Sequence, residues 1–171
     1  MNETEFHSLI AGYRESIARI IYRLVRSQED TRDLMQDAFM QMWKHHQQLE
    51  NQRAACTYLY RISINLAIDW LRHKKYQLLE SATELTRLSS GTPKDSRELF
   101  EAILVCSRHL KPKQRAVFIL KDLEGFEFDE IAVLMNTRPS NLRSNLHLAR
   151  KKIKATLEKQ YNITMEYWYD L

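Results

Sequence analysis

The chain has 171 residues but only three glycines and three prolines. These two residue types interrupt helices more than any others, so their scarcity permits long uninterrupted helical segments. The runs between them are rich in Leu, Ile, Ala, Arg, Lys, Glu and Gln, and none shows the strict alternation of apolar and polar residues that is typical of a strand. Hydrophobic residues make up 44% of the chain, enough for a packed core. The sequence therefore predicts an all-α protein.

Helical periodicity divides the chain into two small helical lobes. Residues 1–76 form the first lobe, with three helices and the loop QQLENQRA before the third helix. The stretch LSSGTPKDS is the most loop-like part of the chain, and we assign residues 77–97 to a flexible linker. Residues 98–160 form the second lobe, and residues 161–171 form an aromatic, slightly acidic tail.

Local signals predict where several helices begin and end. Ser27 and Asp95 are typical N-cap residues, and Pro112 suits the first position of a helix. Gly125 should end the helix that Pro112 begins, and Asn136 is typical of the left-handed position that follows a helix. The second lobe should therefore contain a short helix, FDEIAVLM, between two longer ones.

The segment TRPSNLRSNLHLARKKIK follows this short helix after a turn of about four residues. Leu142, Leu146 and Ile153 recur at helical spacing and predict a buried face. Leu142 and Leu146 should pack against Ile131, Ala132 and Leu134 of the short helix. Between Arg138 and Lys159 there are seven basic residues and one acidic residue. This order is typical of a helix-turn-helix, whose second helix lies in the major groove of DNA. A solvated charged face is the alternative, which the preceding short helix argues against.

The predicted DNA contacts of this helix differ by position. Side chains in the first turns reach base edges, where Arg pairs with guanine and Asn with adenine. Basic side chains farther along suit phosphates. The predicted contacts with upstream DNA are Arg138, Asn141, Arg143, Ser144, Asn145, His147, Arg150, Lys151 and Lys154.

The second helix carries acidic residues on one narrow face. Asp30, Asp33 and Asp37 recur there, with Leu34 at the margin of the same face. Asp30 is close enough to the start of the helix to offset its dipole, whereas Asp33 and Asp37 lie deeper. A leucine beside acidic residues on an exposed face suits a protein partner with a basic surface.

The third helix, about residues 54–76, is apolar over more than half of its circumference. Its remaining stripe combines Tyr58 and Asn65 with the basic residues Arg61 and Arg72. Aromatic faces beside positive charges are what binding of single-stranded nucleic acid requires. Tyr58 is equally well explained as a stacking surface or as part of the core, and both interpretations stay open.

The net charge of +4 is too small to identify a partner, but basic and acidic residues are segregated, which suggests one anionic partner and one of another kind. Cys56 and Cys106 lack the spacing of metal ligands, so we expect two buried free thiols and no cofactor or metal. Trp70 is predicted to be a core residue. No signal peptide opens the chain and no apolar run could span a bilayer, so we expect a soluble cytoplasmic protein without membrane insertion.

Three blocks of the sequence together resemble a known family. They are EDTRDLMQDAFMQMW, TYLYRISINLAIDWLRHKK and LKPKQRAVFILKDLEGFEFDEIAVLMNTRPSNLRSNLHLARKKI. In this order, over about residues 10–160, the chain resembles the extracytoplasmic-function (ECF) sigma factors of bacterial RNA polymerase. The resemblance implies a protein that directs core polymerase to specific promoters and initiates transcription by recognising and melting them.

The resemblance also implies roles for the first lobe, which is similar to sigma region 2. This lobe would dock on the clamp of the largest polymerase subunit through Asp33, Leu34, Gln36, Asp37 and Trp43. The third helix and the loop before it would read and open the minus-ten promoter element. The residues implied in that step are Asn51, Gln52, Arg53, Tyr58, Arg61, Asn65, Arg72, Lys74 and Lys75.

The second lobe resembles sigma region 4. It would sit on the flap of the second-largest polymerase subunit while its long helix reads the minus-thirty-five element, with the linker running through the polymerase. The implied partners are core polymerase, promoter DNA and an anti-sigma factor, and the free chain would be a monomer. The family often begins this helix with Gly-Thr-Val, where this chain has Ser140, Asn141 and Leu142. We still expect Asn141 to cap the helix and Leu142 to pack.

Two other classes of function fit the sequence less well. A helix-turn-helix regulator acting without polymerase would explain the second lobe but not the acidic helix or the aromatic stripe. A nuclease or recombinase would need convergent carboxylates, or a nucleophile with its base. The acidic residues instead follow one helix face, and the six histidines show no ligand spacing. We therefore expect no enzymatic activity.

Overall fold

The structure is a computed structural model that describes residues 2–78 and 93–162. Within these two ranges every regular element is a helix, which confirms the all-α prediction. Most of the predicted linker, residues 163–171 of the tail and the side chain of Lys75 lie outside the described residues. None of the helices that the structure describes is both long and apolar enough to cross a bilayer.

The first lobe contains three helices, which are α1 (Glu3–Val25), α2 (Gln28–His45) and α3 (Gln52–Leu78). The hydroxyl of Ser27 accepts a hydrogen bond from the Asp30 N–H at 3.3 Å, which confirms the predicted cap of α2. The three helices enclose an apolar core, and fully burying one such side chain contributes about 1.5–3 kcal/mol. Its fully enclosed residues include Ile17, Ile20, Ile21, Leu24, Ala38, Met42, Leu59, Ile64 and Ala67.

Helix α3 begins earlier than the sequence predicted. The side-chain oxygen of Asn51 accepts a hydrogen bond from the Ala54 N–H at 2.9 Å, so Asn51 caps the helix. Gln52 and Arg53 therefore lie in the first helical turn, and their assignment to a loop was wrong. Asparagine is among the best N-cap residues, and the polar composition of the segment concealed that signal.

The second lobe contains four helices, which are α4 (Ser96–Cys106), α5 (Pro112–Phe118), α6 (Phe128–Leu134) and α7 (Pro139–Tyr161). A carboxylate oxygen of Asp95 accepts a hydrogen bond from the Glu98 N–H at 2.8 Å, and Pro112 occupies the first turn of α5. Both observations confirm the predicted helix starts, because Asp satisfies an otherwise unpaired N–H and Pro needs no N–H there.

Helix α5 continues into a π-helical turn, Ile119–Leu123, that the sequence did not predict. Gly125 ends this segment, as predicted, and its φ of +76° lies in the left-handed region that favours glycine. The wider turn places Asp122 against α7 and is followed at once by Glu124, which faces α1. This short irregular segment thus contacts helices of both lobes.

Helices α6 and α7 form the predicted helix-turn-helix. Asn136 has a φ of +46°, which confirms the left-handed residue after the short helix. Ile131 and Leu134 of α6 are buried, as are Leu142 and Leu146 of α7, so the two helices share the expected apolar contact. The relative placement of the two helices is therefore fixed by side chains that the periodicity identified.

The start of α7 differs from the expectation. Asn141 does not cap the helix, because Pro139 is already helical and Arg138 occupies the N-cap position. The fixed φ of proline suits the first helical residue and moves the start two residues upstream of Asn141. Asn141 is exposed and remains available to a ligand.

The two lobes pack against each other. The ring of Tyr60 in α3 meets Phe126 edge to face, with 5.6 Å between the ring centres. The carboxylate of Glu124 is bound by Arg23 of α1 at 2.6 Å and by Arg19 at 3.1 Å, and its side chain is only 4% exposed. Apolar residues of both lobes consequently form one continuous core.

Candidate nucleic-acid and protein interfaces

Helix α7 has one buried face and one polar face. The buried stripe is Leu142, Leu146, Ala149, Ile153 and Leu157. Arg143, Ser144, His147 and Lys151 are exposed on other faces of the helix. The packing of the apolar stripe fixes the rotation of α7, so the polar residues face away from the lobe.

Several side chains in the first turns of α7 are held by contacts within the chain. The guanidinium of Arg143 lies 5.2 Å from the centre of the Phe128 ring, a cation–π contact with the start of α6. The amide of Asn145 donates a hydrogen bond to the Asn141 carbonyl at 2.8 Å. Asn145 would have to break this bond to reach a base, whereas Arg143 is positioned over the turn with donors still available.

Arg150 has a partner inside the second lobe. Its guanidinium donates two hydrogen bonds to the Asp122 carboxylate, at 2.8 and 2.7 Å. The side chains of Arg150 and Asp122 are 19% and 13% exposed. This mostly buried bidentate ion pair links α7 to the π-helical turn. The phosphate contact of Arg150 stays a prediction, and the structure adds a pairing within the lobe that the unpredicted π-helical turn makes available.

The other basic residues in and near α7 differ in solvent exposure and in ion pairing. Lys151 is exposed, and so is Arg138 before the helix. Lys154 is half-buried and lies 3.9 Å from Glu158, one turn later. Lys151 is therefore the clearest candidate for a phosphate contact in the second half of the helix.

Tyr58 belongs to a small aromatic and basic cluster at the start of α3. Its ring meets His45 edge to face at 5.9 Å, and the guanidinium of Arg61 lies 5.6 Å from the ring centre. Tyr58 is half-buried, while Arg61 and Asn65 are exposed. The cluster combines an accessible ring with positive charge, which is the arrangement that stacking of an unpaired base requires.

The far end of α3 is more internally paired than predicted. The Trp70 N–H donates a hydrogen bond to the Asp30 carboxylate at 3.0 Å, and the Lys74 ammonium lies 3.5 Å from the same carboxylate and over the Trp70 ring. The Ser27 hydrogen bond, followed by those of Trp70 and the charge of Lys74, lowers the pKa of Asp30 against the effect of burial. Trp70 is thus a half-buried link between helices, and Arg72 pairs with Asp69 at 2.6 Å.

The predicted polymerase-docking face of α2 is partly corrected. Asp33, Gln36 and Asp37 are exposed, as predicted. Leu34 is only 8% exposed, so the expectation of an exposed leucine among acidic residues was wrong. Helical periodicity placed Leu34 at the margin of the acidic face, and the neighbouring helices extend the core far enough to cover it. Trp43 is 41% exposed and stacks on His46 with 4.3 Å between ring centres.

A groove between α1 and α2 is the feature that sequence reasoning missed. It has a volume of about 670 Å³, and its rim carries Arg14, Arg32 and Lys44. None of the ion pairs among residues 2–78 and 93–162 includes these three cations. The sequence contained a signal for this groove, because Met40 and Trp43 are apolar residues of α2 that lie outside its buried face. The apolar lining is Phe6, Met35, Phe39, Met40 and Trp43.

The cysteines complete the set of predicted residues. Cys106 is buried, and burial raises the pKa of its thiol to about 11. Cys56 is half-buried, and burial also raises the pKa of its thiol. Both are free cysteines, as predicted, although Cys56 is less enclosed than we expected.

Two family models match this chain, one in each lobe. The model described as sigma-70 region 2 matches residues 9–76, and the model described as sigma-70, region 4 matches residues 100–153. The first match spans α1 to α3, and the second covers the helix-turn-helix. The chain therefore belongs to the sigma-70 family and carries its regions 2 and 4.

Several curated proteins are similar over most of their length. An RNA polymerase sigma-E factor of Streptomyces avermitilis is 29% identical over 159 residues, covering 91% of this chain and 87% of that protein. The ECF sigma factor SigW of Bacillus subtilis is 26% identical, covering 91% and 90%. The ECF sigma-E factor of Escherichia coli is 27% identical, covering 89% and 86%. Within the family, this chain is an ECF-type RNA polymerase sigma factor.

A solved structure has the same fold. The sigma factor RpoE of Bartonella quintana, in co-crystal with the anti-sigma factor NepR, matches with a TM-score of 0.68 and 16% sequence identity. The match covers 90% of this chain and 96% of that one, so both lobes contribute to it.

Proposed function

We propose that this sigma factor uses separate exposed surfaces of its two lobes for polymerase and for promoter DNA. The observation that carries the proposal is the coexistence, on one packed chain, of an exposed basic helix, an aromatic–basic cluster and an exposed acidic face. Each surface has the chemistry of a different partner: duplex DNA, unpaired bases and a basic protein surface. A helix-turn-helix regulator acting alone would use only the first.

The acidic face of α2 docks on the clamp of the largest polymerase subunit. Asp33, Gln36 and Asp37 are exposed there and can meet a basic surface directly. Trp43 adds an exposed ring one to two turns farther along. Leu34 supports the face from within the core and makes no direct contact.

The aromatic–basic cluster receives the opened minus-ten element. Tyr58 offers a ring, Arg61 offers charge beside it, and Asn65 is exposed one turn later. Extracting a base from the stack costs a few kcal/mol, so a receiving surface is required. Asn51 and Arg53, at the start of α3, lie in the turns that lead to this cluster.

The second lobe reads the minus-thirty-five element with α7 and sits on the flap of the second-largest polymerase subunit. Arg143 and His147 are exposed and bind base edges, and the exposed Lys151 binds phosphate. The protein acts where polymerase acts, in the cytoplasm. When free it is a monomer, and an anti-sigma factor is its expected inhibitor.

The decisive experiment is run-off transcription with purified core polymerase and a genomic promoter library. The proposal requires that a defined set of promoters be transcribed only when both this chain and core polymerase are present. Tight, specific duplex binding by the free chain, without any polymerase-dependent transcription, would instead establish the stand-alone regulator.

Docking is tested by Asp37→Lys. Reversing this exposed charge places like charges at the interface, which costs several kcal/mol, and core polymerase should no longer be retained in a pull-down. Glu50→Lys makes the same charge change on an exposed residue outside α2 and should retain polymerase. Wild-type retention by a folded Asp37→Lys variant, checked by circular dichroism, would remove Asp37 from the docking face.

A further inference from the structure

Leu148 is an apolar residue on the exposed side of α7. It is 45% exposed, whereas the next residue, Ala149, is fully buried. Among the described residues of the second lobe, Val133 of α6 is the other large hydrophobic residue with comparable exposure. A single exposed leucine is ordinary on a protein surface, so the meaning of this one depends on its surroundings.

The surroundings of Leu148 are the polar face of α7. Residues three or four positions apart are neighbours on a helix, with about 5–6 Å between their Cβ atoms. Ser144 therefore lies one turn before Leu148, Lys151 and Lys152 lie one turn after it, and all three are exposed. Leu148 thus lies within the face that we assign to promoter DNA, and the inference below rests on that proposed function.

Leu148 is close enough to Arg143 for both side chains to reach the same stretch of base pairs. Five residues of α7 rise about 7.5 Å along the helix axis, which equals about two base-pair steps of 3.4 Å. Lys151, which we assign to a phosphate, lies farther along the helix. If Arg143 binds a base edge, Leu148 therefore faces a base pair about two steps away.

The polar residues one turn before Leu148 already use donors within the helix. The Ser144 hydroxyl donates a hydrogen bond to the Ser140 carbonyl at 3.2 Å, and the Asn145 amide donates one to the Asn141 carbonyl at 2.8 Å. Fewer donors are consequently free to bind bases at this part of α7. Discrimination between bases there depends more on apolar contact than at Arg143.

A leucine side chain has no hydrogen-bond donor or acceptor, so it cannot bind a phosphate or a polar base edge. Placed against such groups, it would remove their water without replacing the hydrogen bonds, which is unfavourable. Among the groups that distinguish base pairs in the major groove, the apolar one is the 5-methyl group of thymine. We propose that Leu148 contacts the methyl group of a thymine in the upstream promoter element and so makes the chain prefer an A·T pair at that position.

The contact is tested by removing the methyl group from the DNA. Uracil pairs as thymine does but lacks the methyl group, so each thymine in the upstream element of a transcribed promoter is replaced by uracil in turn. Binding is measured with the holoenzyme formed from core polymerase and the full-length chain. One of these replacements should lower the affinity of the wild-type holoenzyme about threefold to fivefold, because an apolar group of this size is no longer buried.

Leu148→Ala shows whether Leu148 is the partner of that methyl group. The variant should bind the thymine promoter about threefold to fivefold more weakly than wild type, and uracil at that position should cause no further loss. Its fold should be unchanged, because the site is exposed and alanine favours a helix. Val133→Ala removes another exposed apolar side chain, from α6, and should keep the full uracil effect. A uracil effect of the same size in wild type and Leu148→Ala, or no uracil effect at any position, would overturn the proposal.

Selection from a randomised upstream element gives an independent measurement. The wild-type holoenzyme should select a thymine that the Leu148→Ala holoenzyme no longer selects. Leu148→Arg should select a guanine there, because an arginine side chain binds the O6 and N7 atoms of guanine. Selection of the same thymine by wild type and by both variants would also overturn the proposal.

Arg143→Ala separates this inference from the proposed function. If Arg143→Ala relaxes the base preference while no uracil replacement has an effect, α7 reads the upstream element and Leu148 is not one of its contacts. If the wild-type holoenzyme shows no preference for any upstream sequence, the assignment of α7 to that element fails, and the Leu148 contact fails with it.

Discussion

Single residues of α7 are expected to separate base reading from phosphate binding. Arg143 is exposed in the second turn and positioned by Phe128, whereas Lys151 is exposed two turns later. Arg143→Ala should cost about 1–3 kcal/mol of promoter binding and relax the preference at one or two base pairs. Lys151→Ala should weaken all promoters alike and lower the salt slope by about one.

The measurement is holoenzyme binding to a randomised upstream element, for both variants, at two salt concentrations. The two variants serve as controls for each other, because each removes one positive charge from the same helix. A changed base preference in Lys151→Ala, with none in Arg143→Ala, would show that α7 enters the groove in a different orientation.

At this scale, the sequence predicted residue types better than residue roles. Periodicity identified the buried leucines of α7 because one helix determines its own faces. It misplaced Leu34, whose burial depends on how far α1 and α3 extend around α2. It did not predict that Arg150 pairs with Asp122, because an irregular turn with no local sequence signal brings this partner close.

The start of α3 combines a structural and a proposed functional role in Asn51. Asn51→Ala removes the cap and should lower the free energy of unfolding by about 1 kcal/mol, whereas Asn51→Ser keeps a capping oxygen and should not. If the amide also binds an opened base, permanganate footprinting should show reduced promoter opening in both variants. Wild-type promoter opening in Asn51→Ser would mean that Asn51 only caps α3.

The attachment of α7 to the π-helical turn gives a second prediction at the level of elements. Arg150→Ala leaves the mostly buried Asp122 carboxylate without its two donors, and should lower the free energy of unfolding by about 1–3 kcal/mol in urea titrations. Lys151→Ala removes an exposed neighbour and should change stability by less than about 0.5 kcal/mol. Equal stability of the two variants, with a reduced salt slope of promoter binding in Arg150→Ala, would instead support a phosphate contact for Arg150.

The start of a helix could be predicted where a single side chain accounts for it. Ser27, Asp95 and Pro112 each satisfy or remove an unpaired N–H, and the structure confirms all three. The π-helical turn has no comparable local cause. Its flanking charges find their partners on α7 and α1, which are distant in the sequence.

At the level of the whole molecule, the packing of the lobes could not be predicted, because its contacts join residues about 65 to 105 positions apart. Tyr60 and Phe126 supply an apolar contact, and the buried Glu124 carboxylate supplies a polar one. The local sequence around each of these side chains gives no sign of its partner in the other lobe. Only the folded chain shows that they meet.

The polar contact between the lobes is tested by Glu124→Ala. Glu124 is the acceptor for Arg19 and Arg23 of the other lobe, and its side chain is 4% exposed, so solvent screens the pair only weakly. A double-mutant cycle with Arg23→Ala should give a coupling free energy of about 1–3 kcal/mol. Small-angle X-ray scattering should show a larger radius of gyration for Glu124→Ala, because lobe separation becomes less unfavourable. Asp129→Ala removes an exposed carboxylate of the second lobe and should change neither quantity. An unchanged radius with no measurable coupling would mean that apolar contacts such as Tyr60–Phe126 hold the lobes together alone.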